Sequence, residues 1–160
     1  FAMHKTHTPC ALAAGLLSLI LPLAAFASDP PSVLENQSAC SGRYSARLQL
    51  DFGQTGTTAT AHAEASLVRH PFAHGSITPP PYFVAESMVM RRNAVNPNWV
   101  SDTHSSEYHN EFSTAAVTAN GMLFKDAGCE LVASTIVVVH CPNGTQETKQ
   151  LTRNWVGCGL

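Results

Sequence analysis

Apolar and polar residues alternate with a period of two over much of the chain. In YSARLQLDF, Tyr44, Ala46, Leu48, Leu50 and Phe52 point one way while Ser45, Arg47, Gln49 and Asp51 point the other, as in a strand with one buried face. ATAHAEASLV repeats the pattern with Ala59, Ala61, Ala63, Ala65 and Leu67 inward, and the intervening QTGTT predicts a β-hairpin. Alanine also favours helix, but the alternation and the Gly/Thr turn decide for strand. His70-Pro71 and Pro79-Pro80-Pro81 interrupt the pattern, because proline lacks the donor that a ladder requires. YFVAESMVM, Tyr82 to Met90, predicts a third strand.

The C-terminal third returns to strands. FSTAAVTANGMLF carries an Asn120-Gly121 turn signal, STIVVVH reads as a buried β-branched run, and Pro142-Asn143-Gly144 predicts a hairpin into TQETKQLTRNW. Short segments, frequent turn signals and the lack of a long 3.6-residue period predict an all-β, mainly antiparallel domain, a small sandwich or barrel.

Residues 93–111 have no sustained apolar period and are expected to form a long loop of functional interest. The loop contains HSSEYHNE, residues 104–111. As a helix, this stretch would put His104, Glu107, Tyr108 and Glu111 on one face. As a strand, it would separate Glu107, His109 and Glu111 from Tyr108, Asn110 and Phe112, which suits a β protein better.

The N-terminus changes the picture of location. Lys5 precedes the apolar run ALAAGLLSLILPLAAFA, which ends in the small-x-small sequence Ala25-Phe26-Ala27. This pattern predicts a signal peptide over residues 1–27, with Met3 as its start and two extra leading residues, and a single exported β-rich domain over 28–160. The expected location is periplasmic or extracellular. Once Lys5 is removed, eight Lys and Arg face eleven acidic residues, a formal charge of −3. That balance argues against nucleic acid and against an anionic membrane as partner.

Four cysteines remain in the exported part, an even number suited to an oxidising compartment. Spacing favours Cys129–Cys141 as a local loop and Cys40–Cys158 as a tie between the ends of the domain. A four-cysteine zinc site is disfavoured because no close CxxC-like pair occurs.

Chemistry-bearing motifs are sparse. HSSEYHNE does not reproduce HExxH, there is no GxSxG elbow, and no glycine-rich phosphate loop is present. The leading expectation is therefore a non-enzymatic, cofactor-free binding protein, of inhibitor or immunity type, contacting a protein such as an envelope or secreted enzyme. Its contact residues would be Trp99, His104, Ser105, Ser106, Glu107, Tyr108 and His109, with Trp99 and Tyr108 as aromatic anchors and Arg91 and Arg92 at the edge. The alternative is an exported metal-binding protein holding Zn or Cu through His70, His74, His104 and His109. A third reading is a small secreted hydrolase with a histidine base and Glu107 or Glu111 as its partner.

Overall fold

The computed structural model of the chain describes residues 32–69, 82–109 and 116–158. The expected signal peptide, His70, His74, the Pro79–Pro81 run and residues 110–111 lie outside the described residues. The described chain forms β1 (Val33–Ala39), β2 (Tyr44–Thr55), β3 (Thr58–Arg69), β4 (Tyr82–Arg92), β5 (Val100–His109), β6 (Ala116–Phe124), β7 (Glu130–His140) and β8 (Gln146–Val156). Two four-stranded antiparallel sheets result, ordered β1-β2-β3-β6 and β5-β4-β7-β8. Their inner faces form one core, so the expected all-β architecture takes the form of a sandwich.

The β2–β3 hairpin has the predicted register. Tyr44 pairs with Arg69 and Thr55 with Thr58, and the predicted inward residues of both strands are buried. The Pro142–Gly144 turn likewise joins β7 to β8, with Cys141 N–H donating to Thr145 O at 2.8 Å and Gly144 N–H to Cys141 O at 2.9 Å. In β7, Val137 and Val139 are buried while Ile136 and Val138 are half-buried, so the predicted buried run is an alternation between two faces.

Asn120-Gly121 is not a turn. Both residues lie inside β6, where Asn120 pairs with His62 and Gly121 with Ala61. The glycine serves close packing, because a Cβ there would collide with Val89 Cγ1 of the facing sheet. With β6 drawn in this far, side chains of the other sheet bond to its backbone. Ser87 Oγ donates to Val117 O at 2.6 Å, Asp102 Oδ2 accepts from Asn120 N–H at 2.8 Å, and Asn93 Nδ2 donates to Phe124 O at 3.1 Å. An edge strand that would otherwise offer bare backbone groups is in this way sealed.

The disulfides are Cys40–Cys141 and Cys129–Cys158, not the pairs that spacing favoured. Cys129 and Cys141 flank β7, and a strand of that length holds its ends roughly 35–40 Å apart at about 3.3 Å per residue. Cys40–Cys141 instead joins the β1–β2 turn of one sheet to the β7–β8 turn of the other. At the opposite end Cys129–Cys158 closes the β7–β8 pair, beside the bond from Gly157 N–H to Cys129 O at 2.8 Å.

The sequence separations of 101 and 29 residues imply stabilisation of about 4.7 and 3.6 kcal/mol respectively from restriction of the unfolded chain. Replacing both Cys40 and Cys141 by Ala is expected to lower unfolding free energy more than the same change at Cys129 and Cys158, as urea titration would measure. Gly121→Ala is expected to cost about 1–3 kcal/mol through overpacking against Val89, and Gly121→Ala combined with Val89→Ala should recover part of it.

Candidate functional site

The connection between β4 and β5 is shorter than expected, because residues 100–109 of the predicted loop pair with β4 as a strand. What remains as loop is 93–99, and its conformation is held by side chains that the sequence does not advertise. Asn93, buried at the end of β4, donates its N–H to Asn96 O at 3.0 Å and accepts Asn96 N–H on Oδ1 at 2.8 Å. The Asp126 carboxylate, from the turn after β6, accepts Ala94 N–H at 2.9 Å, Val95 N–H at 3.4 Å and Gly128 N–H at 2.8 Å. The Ala94 bond, with smaller help from the other two amides and against partial desolvation, holds Asp126 below the usual carboxylate range. Gly128 is needed at this junction, since a Cβ on it would stand 2.7 Å from Ala94 N.

Trp99 closes the loop. Arg92 directs Nε at 2.8 Å and Nη2 at 2.5 Å to the same Glu130 oxygen, and its guanidinium lies 4.5 Å from the centre of the Trp99 ring. The ion pair fixes the cation, and the cation positions the indole. Trp99 remains 41% exposed, as an aromatic anchor requires.

Between this loop and β6 is a cleft of about 230 Å³ lined by Thr58, Arg91, Arg92, Asn93, Asn96, Val100, Met122, Leu123 and Phe124. Its rim is apolar and open: Phe124 is 73% and Met122 66% exposed. Phe124 and Met122 are at the end of β6 that pairs with the β2–β3 turn, where Thr58 meets Phe124.

The other expected contact residues lie along β5. Tyr108 stacks on Phe83 with ring centres 4.7 Å apart, and it is half-buried at the far end of the strand from Trp99, roughly 30 Å away by strand rise. One loop does not present both aromatics. Ser105 and Glu107 are exposed, Ser106 is half-buried, and the His109 backbone pairs with Tyr82. His104 Nε2 is 3.0 Å from Asp102 Oδ1, whose second oxygen takes the Asn120 amide. That amide, with smaller help from the His104 contacts and the charge of Arg91, holds Asp102 below the usual carboxylate range against desolvation. Asn120 Oδ1 in turn is 2.8 Å from His62 Nδ1, so a polar chain runs from β3 through β6 to β5. Its chemistry is that of an inter-sheet clasp, with both Asp102 oxygens committed.

Of the histidines considered for Zn or Cu, His104 has these partners, while His70 and His74 lie outside the described residues. Among the described residues, the convergence of three metal-type ligand atoms at Cys40, Cys141 and Glu147 involves two sulfurs already bonded to each other. Comparison with protein-family models, curated proteins and solved structures finds no match to this chain.

Asp126 generates a pH expectation with a definite sign. Its folded-state affinity for protons is lowered, so its support of the loop is complete above the ordinary carboxylate range, near pH 4. It is lost as pH falls through the lowered value. Asp126→Asn is expected to accelerate amide exchange at Ala94, Val95 and Gly128 by about tenfold or more at neutral pH. Wild type should reach that behaviour only in acid, as hydrogen-exchange NMR would record.

Proposed function

We propose that this protein is an exported, non-enzymatic binding protein whose contact surface is the 93–100 segment together with the adjoining end of β6. One observation carries this reading. Seven large apolar side chains are exposed among the described residues, and six of them, Val95, Trp99, Val100, Met122, Phe124 and Val156, surround this end of the sandwich. Only Leu34 lies elsewhere. Exposed large apolar side chains gathered at one end of a domain mark an interaction site.

The pre-organised loop supports the same reading, because a segment already held by Asn93, Asp126 and Arg92 has little entropy to lose on binding. Export is supported by two disulfides and by the signal-like N-terminus. Among the described residues no helix is long and apolar enough to cross a membrane. An inhibitor or immunity-type role toward a secreted or envelope enzyme is the form this binder is proposed to take, since such proteins act by rigid surface presentation alone.

Affinity capture with oxidised protein immobilised from residue 28 onward tests the proposal. A specific partner should be retained with and without EDTA by wild type and by Leu34→Ser. Retention should fall by about tenfold or more for Trp99→Ala and Phe124→Ser, as expected of central anchors. Unchanged retention by both anchor variants would sink the reading. Retention abolished by EDTA would move the weight to metal binding.

A further inference from the structure

The cleft beneath the apolar rim contains two arginines in different electrostatic states. Arg92 is neutralised by Glu130. Arg91, half-buried on the same strand, has no salt-bridge partner among the described residues, and its Nη1 lies 3.9 Å from where a Cβ on Gly121 would be. Of the acids on flanking elements, Asp51 of β2 lines an adjoining cleft with Arg91 and accepts Gln49 Nε2 at 2.6 Å, and the others are committed elsewhere. Glu130 holds Arg92, Asp126 holds the amides of Ala94, Val95 and Gly128, and Asp102 holds the Asn120 amide and His104, acting on Arg91 only at longer range. Among the described residues, Arg91 is thus a half-buried cation without an ion-pair partner, in a cleft also lined by Val100, Met122, Leu123 and Phe124, in a chain whose net charge is −2.

We propose that this cleft recognises, on a protein partner, an extended segment in which a large apolar side chain stands beside a carboxylate. The apolar group enters between Phe124, Met122 and Val100, and the carboxylate meets Arg91, with Asn96 and Thr58 lining the same cleft. Guanidinium is suited to this task because its planar donor fork matches a carboxylate. The inference rests on the binding-protein reading and names the chemistry that the surface selects.

The test uses two fluorescein-labelled peptides of equal length in a Gly/Ser background, one centred on Glu-Leu-Phe-Glu and the other on Lys-Leu-Phe-Lys. Fluorescence anisotropy with the full oxidised chain should show the acidic peptide binding at least about tenfold more tightly. Arg91→Gln should remove most of that preference, Arg91→Lys should keep part of it, and Phe124→Ser should weaken both peptides alike. Thermal unfolding of each variant establishes that it is folded. Equal binding of the two peptides, a charge preference that survives Arg91→Gln, or no binding of the acidic peptide up to about 1 mM would overturn the inference. The broader reading fails separately, when capture of the partner is indifferent to Trp99 and Phe124.

Discussion

Alanines at 59, 61, 63 and 65 leave nothing larger than a methyl group on most of the inner face of β3, and Ala119 and Gly121 continue that low surface on β6. Ala85 and Ala133 answer them from the opposite sheet. Close approach of the two sheets follows, and the rest of the structure depends on it. Only at this separation can Ser87, Asn93 and Asp102 reach the backbone of β6, and the bond from Asn93 to Phe124 O is also what brings the start of the 93–99 loop against the end of β6. Larger inner residues would have filled more core and left this edge unsealed.

The two ends of the sandwich are built differently. At one end, Cys40–Cys141 ties turn to turn, and Cys40 and Ser41 adopt left-handed backbone conformations that the covalent bond and the Glu147 carboxylate on Cys40 N–H help to hold. At the other end, carboxylate-to-amide bonds and one cation over an indole hold the 93–99 loop, with Cys129–Cys158 beneath it. Polar bonds of this kind order a segment without burying its side chains, and so the apolar rim can be rigid and exposed together.

Legibility in the sequence followed local signals: the edge strand β8 is placed by the Pro142–Gly144 turn, and the central strands by their own pattern. β2, β3, β4 and β7, each with a paired neighbour on both sides, alternate clearly or read as apolar runs, and all were visible. β1 was not. Its inward positions are Val33, Glu35, Gln37 and Ala39 while Leu34 faces solvent, and Glu35 and Gln37 engage Arg153 and the Gln150 carbonyl of β8. β5 resembles a loop in sequence for the same reason, since Asp102, His104 and Ser106 occupy alternate positions of a strand only partly covered by the other sheet. Asn120-Gly121 misled because a glycine required by packing and a glycine required by a turn have the same letter. Trp99 stands out in the sequence as an anchor, but Asp126, Gly128 and Phe124 do not, since their role arises only when the β6–β7 turn meets the β4–β5 loop.

The disulfide arrangement also determines how the domain would respond to being pulled from its two ends. Tension entering at β1 leaves the main chain at Cys40, crosses to Cys141, follows β7 to Cys129 and crosses again to Cys158. Of that route only β7 has length to give, and a strand is already close to full extension. Strands β2 to β6 lie off the path entirely, so in the oxidised protein they, and the 93–99 loop they support, would be mechanically shielded while the molecule behaved as a short, nearly inextensible link.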